Sequence, residues 1–195
     1  QSIMTPLLES DSAEVKLLVG QVLLENGELG EAKKALERAA ELSPNLPTVH
    51  LSLGAVYWKQ QDTATALAEW RQELRAHPES FQANYTLGAA LAVSPADAAA
   101  ASKLLRKALA LKPGSAQALY QLGKLVWRQS KGPEAVSLLE HSVRADPNYR
   151  EAHYLLGSIY QSLGRKEEAE REFAAVKRIS QEALRRSQDL FESNR

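Results

Sequence analysis

The sequence predicts an all-α protein made of repeated helix–turn–helix units, and three residue types that recur with one period carry this prediction. The interval is 34 or 35 residues for each type. Glycine recurs at Gly20, Gly54, Gly88, Gly123 and Gly157, proline at Pro44, Pro78, Pro113 and Pro147, and alanine at Ala32, Ala66, Ala101, Ala135 and Ala169. All three series contain the same single-residue insertion, which indicates one internal structural repeat.

Each recurring residue has a physical role in such a unit. A glycine inside a helical pattern costs about 1 kcal/mol relative to alanine, so five of them indicate close approach of a neighbouring helix. The alanine twelve positions later is also small and falls on the second helix, so the pair predicts a tight helix crossing. The proline ends the second helix, because the residue before proline is disfavoured in the helical region.

The fifth unit carries the pattern most completely, in Leu156-Gly157, Tyr160, Gly164, Ala169 and Phe173. A unit of this length, with this order of residues and a proline near its end in the earlier copies, resembles the tetratricopeptide repeat, TPR. The resemblance extends over about residues 13–180. It implies a right-handed α-solenoid of five TPR units, in which the first helix of each unit lines a concave groove.

Three departures from the family pattern bear on the structure. The large aromatic residue expected early in each first helix is replaced, by Lys16, His50, Asn84, Leu119 and His153. The third unit has an extra residue in its Val93-Ser94-Pro95 turn, and the fifth has Gln181 in place of its terminal proline. Without that proline, we expect the helix that starts near Arg165 to continue towards Phe191 as a capping helix, or alternatively as a partner-binding helix.

The predicted domain organisation follows the period. We expect TPR units over residues 13–46, 47–80, 81–115, 116–149 and 150–180, followed by a capping helix and tail over residues 181–195. Residues 1–12 do not form a full unit. We interpret them as a lead-in turn opened by Thr5-Pro6, or alternatively as the remnant of a preceding repeat.

Composition excludes several classes of protein. The chain has 24 Lys and Arg and 24 Asp and Glu, and a net charge of zero argues against nonspecific nucleic-acid binding. It has no cysteine, so disulfides and thiolate catalysis are excluded, and no apolar run approaches the roughly 18 residues of a membrane span. Because the sequence starts with Gln1, we expect a processed or truncated piece. Its localisation therefore stays open between cytoplasmic and bacterial periplasmic or exported.

Charge is nevertheless distributed unevenly along the chain. Residues 1–80 carry 12 acidic and 7 basic side chains, and residues 81–195 carry 12 acidic and 17 basic side chains. The two ends are therefore expected to differ in electrostatic potential, unless the asymmetry is only drift among solvated surface residues.

Signals for catalysis are poor, and we expect no enzyme activity, no cofactor and no metal site. No Gly-rich phosphate loop follows a predicted strand, and the four histidines, His50, His77, His141 and His153, lack the spacing of a metal-binding helix motif. His50 and His153 occupy the same position three units apart, so they cannot share one metal ion. We expect both to fill a packing slot between helices.

The predicted groove is rich in aromatic and basic residues. In the TPR family, the positions three before and four after the repeated glycine face the groove. In this sequence those positions include Tyr85, Tyr120, Tyr154, Trp58 and Trp127, and Lys59, Lys124 and Arg128 lie near the same face. Tyrosine and tryptophan are typical interface anchors, and the cations favour an acidic or carboxylate-bearing ligand. Alternatively these rings pack between neighbouring units, and for the two tryptophans neither interpretation is preferred.

We therefore predict a protein–protein interaction scaffold that binds a peptide or partner segment in the groove. The alternative from the enzyme class is the substrate-recruiting arm of a larger enzyme, such as a glycosyltransferase, whose catalytic domain lies outside this sequence. Two further alternatives are RNA binding by a related helical-repeat array, and self-association through exposed ends of the array. The sequence does not identify the partner.

Overall fold

The computed structural model describes residues 11–193, with side chains described up to Asp189. The helices in this range are α1 Ala13–Glu25, α2 Leu29–Leu42, α3 Val49–Lys59, α4 Thr63–Ala76, α5 Phe81–Leu91, α6 Ala98–Leu111, α7 Ala116–Arg128, α8 Gly132–Ala145, α9 Arg150–Ser162 and α10 Lys166–Ser193. A short 3₁₀ helix, Pro95–Asp97, precedes α6. No strand occurs in residues 11–193, and the predicted all-α class is confirmed. The predicted lead-in lies almost entirely outside the described residues.

Contacts between Cα atoms divide the chain into two compact units, Gln1–Ala90 and Leu91–Arg195. The division falls at the end of α5, inside the third predicted repeat. In unit 1, α1 packs on α2, α2 on α3, and α3 on α4. In unit 2, each helix from α6 to α9 packs on the next one in the chain. Within each unit, sequence neighbours are therefore neighbours in space, as a helical-repeat array requires.

Side-chain caps start several of the helices. The Ser12 hydroxyl accepts a hydrogen bond from the Val15 amide at the start of α1, at 3.4 Å. The Asp62 carboxylate accepts from the Thr65 amide at the start of α4, at 3.1 Å, and the Ser115 hydroxyl accepts from the Ala118 amide at the start of α7, at 3.3 Å. Each cap satisfies one of the backbone N–H groups that have no partner within the helix.

The repeated glycine lies directly against a large side chain of the second helix, sixteen positions later. The pairs in the two units are Gly20 with Leu36, Gly54 with Trp70, Gly123 with Leu139, and Gly157 with Phe173. A Cβ atom added to any of these glycines would lie 3.0 Å or less from that side chain. The alanines twelve positions after the glycines are buried as well, but the larger residue is the one that fills the space above the glycine.

The turn between the two helices of a unit has the same hydrogen bonds in four of the five units. Its second residue is left-handed, with φ of 82° at Gly27, 65° at Gln61, 61° at Ser130 and 75° at Gly164. In each turn the amide of the following residue donates to a carbonyl five residues back, as Asp62 does to Tyr57 at 2.9 Å. This is the Schellman ending of a helix, and it satisfies carbonyl groups that would otherwise lack a partner.

In three repeats, the residue that replaces the early aromatic of the family forms a hydrogen bond to the preceding repeat, which we call the polar tie. His50 Nε2, Asn84 Nδ2 and His153 Nε2 lie 3.0, 2.9 and 3.2 Å from the carbonyl oxygens of Pro44, Pro78 and Pro147. Each proline ends the preceding repeat. The Nδ1 atoms of the two histidines also lie 2.7 Å from Glu69 Oε2 and 2.5 Å from Glu172 Oε2.

These histidines are buried and act within the fold, as the packing-slot interpretation expects. Since all three side chains bind the same kind of carbonyl group, the polar residue replaces the missing aromatic packing with a hydrogen bond.

The tenth helix runs without interruption through the position of the missing proline. It spans 28 residues, Lys166–Ser193, so the predicted continuation past residue 180 is confirmed. From Gln181 to Asp189 all side chains except that of Glu182 are exposed, and the Leu184 side chain is 61% exposed.

The contact at Gly54 provides a direct test of the helix crossing. A Cβ atom at this position would lie 2.2 Å from Trp70 Nε1, and the buried indole cannot move without losing its 3.1 Å hydrogen bond to the Leu51 carbonyl. We expect Gly54→Ala to lower the free energy of unfolding by about 1–3 kcal/mol in urea denaturation followed by circular dichroism. The matched control is Gly30→Ala, because Gly30 lies in the first turn of α2 with nothing within 4 Å. It should raise stability by roughly 0.5–1 kcal/mol. Equal effects at both sites would contradict this packing.

The polar tie at His50 provides a second test. His50→Leu removes the partners of the Pro44 carbonyl and the Glu69 carboxylate, and we expect a loss of about 1–3 kcal/mol in the same denaturation experiment. His50→Asn should lose less, because Asn84 makes the equivalent bond to Pro78 at 2.9 Å. If the leucine variant were as stable as the asparagine variant, the hydrogen bond to the proline carbonyl would contribute nothing.

Candidate functional site

The three tyrosines of the predicted groove lie in different environments. Tyr85 belongs to unit 1, is partly buried and stacks on Phe81, with ring centroids 5.9 Å apart. Tyr120 is partly buried against Tyr149, at 5.1 Å. Tyr154 is 61% exposed, although its ring is tilted against Phe173, with ring centroids 6.0 Å apart. Tyr120 and Tyr154 both belong to unit 2, and the structure brings these two together around one pocket.

The sequence left open whether the two tryptophans are accessible in the groove or packed between repeats, and they differ in this respect. Trp58 is 41% exposed, with its ring tilted against Trp70 at 5.4 Å. Trp127 is partly buried and packs against the core of unit 2, which is formed by Val136, Leu139, Leu156, Ile159, Tyr160 and Ala169. Trp127 therefore contributes to packing within the unit, and Trp58 keeps an accessible face.

Two of the three predicted groove cations bind backbone. Lys59 Nζ donates to the Leu24 carbonyl at 3.1 Å, and an Arg128 guanidinium nitrogen donates to the Ala92 carbonyl. Leu24 and Ala92 occupy the same place in their repeats, four residues after the glycine, at the end of the first helix. Both cations therefore link a repeat to the one before it. Lys124, the third predicted cation, lines a pocket of unit 2.

The pocket of unit 2 has a volume of about 460 Å³ and is formed by α7, α9 and α10. Its lining residues are Tyr120, Lys124, Arg150, Glu151, Tyr154, Leu155 and Val176. Each of the two first helices contributes a tyrosine and a cation four residues apart, which places both on one helix face. On α7 these are Tyr120 and Lys124, with Lys124 Nζ 5.9 Å from the ring centroid. On α9 they are Arg150 and Tyr154.

The pocket carries more positive than negative charge. Its charged residues are Lys124, Arg150 and Glu151, and Arg150 Nη2 lies 3.3 Å from Glu151 Oε1. Burial raises the pKa of the Tyr120 phenol above its usual value, and the nearby Glu151 carboxylate raises it further. Tyr120 is therefore neutral at physiological pH and can donate a hydrogen bond.

Unit 1 contains a second pocket of different character. Its volume is about 530 Å³, and its lining residues are Gln21, Leu24, Glu25, Leu51, Ser52, Ala55, Trp70, Gln82 and Thr86. Gln21 Nε2 donates to Ser52 Oγ at 3.1 Å, so part of this wall is occupied by internal hydrogen bonds. Leu24 and Leu51 occupy the predicted groove positions, four after and three before the glycine, but none of the eight aromatic and basic residues predicted for the groove lines this pocket.

Four lining residues of the unit 2 pocket were absent from the sequence-based set, namely Arg150, Glu151, Leu155 and Val176. Arg150 and Glu151 lie one helical turn before Tyr154, so following the tyrosine's helix face backwards would have found them. Val176 belongs to the second helix of its unit, and the pattern of the first helices contains no signal for it.

The described residues show no arrangement typical of metal binding. No group of three or more His, Cys, Asp or Glu side chains that could hold a metal ion occurs in residues 11–189. Over the same part of the chain, no helix combines the length and the hydropathy needed to span a membrane. The pocket is lined by two phenols, two cations, one carboxylate and two aliphatic side chains, a set suited to binding.

The structure consists of helix pairs in tandem, with a small residue at the crossing of each pair and a partly aromatic pocket. These features define a helical-repeat protein with the fold of an interaction scaffold. A family model described as TPR repeat matches residues 20–61, and one described as tetratricopeptide repeat matches residues 51–116 and 120–183. These matches cover most of the chain, which belongs to the tetratricopeptide-repeat family.

Two curated relatives are longer than this chain. The TPR repeat-containing protein YpiA of Bacillus subtilis is 28% identical over 161 residues, which is 80% of this chain and 37% of YpiA. Anaphase-promoting complex subunit 7 of Dictyostelium discoideum is 34% identical over 128 residues, which is 63% of this chain and 21% of that protein. The chain thus spans well under half the length of either relative.

Solved structures show the same fold. MamA from Desulfovibrio magneticus RS-1 superposes with a TM-score of 0.76 at 23% identity, covering 89% of this chain and 97% of MamA. PilF of Pseudomonas aeruginosa gives a TM-score of 0.78 at 19% identity, covering 85% and 75%. YrrB, described as a TPR protein with an unusual peptide-binding site, gives a TM-score of 0.72 at 23% identity, covering 92% of both chains.

The electrostatics of the pocket can be tested at Tyr120. Glu151→Gln removes the smaller of the two causes that raise the Tyr120 pKa, so the pKa should fall but stay above the usual tyrosine value of 10.0, because burial remains. The pKa would be measured by NMR titration of the tyrosine ring protons, with Tyr120→Phe to assign the signal. Because the folded state holds this proton more tightly than the unfolded state, stability should fall as pH rises above about 10. An unchanged or higher pKa in Glu151→Gln would contradict the proximity of the two groups.

Proposed function

We propose that this TPR chain binds a segment of a partner protein in the unit 2 pocket, and that the bound segment pairs a large apolar or aromatic side chain with a carboxylate. The observation that carries the proposal is the exposure of the Tyr154 ring, which is 61% accessible at the mouth of a pocket of about 460 Å³. Exposed aromatic residues in a concavity are typical of the positions that dominate binding energy at interfaces.

The apolar part of the ligand would lie against Tyr154, Leu155 and Val176. These side chains are provided by α9 and α10, and together they form an apolar wall of the pocket. Burying an aromatic or large aliphatic side chain there removes apolar surface from water, which stabilises the complex by about 25 cal/mol for each Å² buried.

The polar part of the ligand would be a carboxylate. Lys124 and Arg150 are exposed cations in the lining, and both lie next to a tyrosine on their own helix. The neutral Tyr120 phenol can donate to the same group. An arginine can bind a carboxylate through two parallel hydrogen bonds, so Arg150 would set the orientation of the ligand as well as its charge.

The family and the fold support binding as the function. The structure of YrrB is described as having an unusual peptide-binding site, and its fold covers 92% of this chain. Since the chain spans only part of its curated relatives, catalysis elsewhere in a longer protein would be compatible with the same role, with the pocket recruiting substrates.

The proposal is tested by selecting displayed random twelve-residue peptides on the immobilised chain. We expect enrichment of peptides that carry an aromatic or large aliphatic residue within a few positions of Asp or Glu. Tyr154→Ala and Lys124→Glu should each weaken the affinity for a selected peptide at least tenfold, which corresponds to about 1.4 kcal/mol, in fluorescence anisotropy titrations.

Matched controls separate the pocket from the rest of unit 2. Leu163 is an exposed apolar residue outside the pocket, 50% accessible, so Leu163→Ala should leave the affinity unchanged. Lys103 is exposed on α6, also outside the pocket, and Lys103→Glu controls for the change in charge. Selected peptides that bind all four variants equally would overturn the proposal. A labelled single-stranded RNA of twenty uridines, binding through Tyr154 and Lys124 where peptides do not, would assign the pocket to nucleic acid instead.

A further inference from the structure

The second helix of the fifth repeat has a face that is covered in every earlier repeat. The position seven residues after the repeated alanine is occupied by Ala39, Glu73, Ala108 and Ser142, which are between 0% and 1% exposed. In the fifth repeat the same position is Val176, and it is only partly buried. Phe173, three residues earlier, is also partly buried, whereas its equivalents are between 0% and 3% exposed.

The covering element in the earlier repeats is the helix that follows. In unit 1, α3 packs on α2, and in unit 2, α7 packs on α6 and α9 packs on α8. Within the described part of unit 2, α10 packs extensively on α9 alone. We call the open surface formed by Phe173, Val176 and Ile179 the terminal face.

The same helix also extends a tail beyond the repeat. From Gln181 onward the described part of α10 is almost entirely exposed, and Leu184 is 61% accessible. Val176, Ile179 and Ala183 recur at intervals of three and four residues, so the stripe of the terminal face continues into the tail.

The charge along α10 favours a second copy of this helix as the partner of the stripe. Residues 166–176 carry two basic and four acidic side chains, whereas residues 177–186 carry four basic and one acidic side chain. The helix therefore changes sign at the centre of the terminal face. Two copies of this helix laid antiparallel place each acidic half beside the basic half of the other. A parallel arrangement would place like charges together.

We propose that the terminal face pairs with the terminal face of a second copy of this chain, with the two α10 helices antiparallel and crossing near residues 176–179. The pairing is isologous, because the same patch is used on both copies and a two-fold axis closes the assembly. Each tail then supplies the covering helix that earlier repeats receive from the next repeat. Val176 belongs both to the terminal face and to the lining of the unit 2 pocket, so the pairing and ligand binding in that pocket share this side chain.

Sedimentation velocity of the 195-residue chain from about 1 to 200 μM tests the proposal. We expect a concentration-dependent shift from 21.4 kDa to twice that mass. Ile179→Glu and Leu184→Glu should each weaken dimerisation at least tenfold, whereas Leu163→Glu, at an exposed apolar residue in the turn before α10 and outside the terminal face, should not. The dimer should also weaken as salt rises from about 0.05 to 0.5 M, because its charge attraction is screened. A monomer at every concentration would overturn the proposal, and so would a dimer indifferent to Ile179 and Leu184.

The orientation of the helices is tested by crosslinking, since the chain has no cysteine. Lys177→Cys places a thiol beside the two-fold axis, so the two copies should form a disulfide under mild oxidation. Gln188→Cys lies about ten residues from the axis, and at 1.5 Å per residue its two thiols would be roughly 30 Å apart and should not crosslink. Both positions are exposed on α10. Efficient crosslinking through Gln188→Cys would indicate a parallel pairing and overturn the proposed geometry.

Discussion

The contact between a glycine of the first helix and a large side chain sixteen residues later is the constraint on which the rest of this structure depends. At Gly54 the indole of Trp70 occupies the space where a Cβ atom would be, and at Gly157 the ring of Phe173 does the same. A glycine inside a helix costs about 1 kcal/mol, and the cost is tolerated because it admits a side chain far larger than a methyl group. The helix pair can then approach closely enough to bury the alanines on either side.

The positions of the pocket-lining side chains depend on this crossing, because it sets which face of each first helix remains outside the pair. On α9, Leu156 and Gly157 face inward, which leaves Tyr154 and Arg150 outward. Lys59 and Arg128 add further links between repeats. Each donates a hydrogen bond to a carbonyl group at the end of the first helix of the preceding repeat. Pocket-lining residues and packing residues therefore alternate along one helix, and the pocket of unit 2 follows from the periodicity of the helix itself.

Much of this could be predicted from the sequence, because the repeat period carries both the fold and the direction of each first helix. The all-α class, the family and the uninterrupted tenth helix followed from glycine, proline and alanine positions and from Gln181. Other features could not be predicted, because their partners are backbone atoms or residues of another repeat. The carbonyl bound by Lys59 has no side-chain signature, and the left-handed conformation of Gln61 and Ser130 is imposed by the turn, not by their residue type. Val176 lines the pocket from the second helix, which the groove pattern does not describe.

The most direct measurement of the central contact is a double-mutant cycle between Gly54 and Trp70. If the glycine is required because the indole lies against it, Gly54→Ala should destabilise the wild-type chain by about 1–3 kcal/mol. In a Trp70→Ala background the same substitution should instead stabilise by roughly 0.5–1 kcal/mol, since the clash is gone and only helix propensity remains. An equal cost in both backgrounds would contradict the account, because the glycine would then serve some purpose other than admitting the tryptophan.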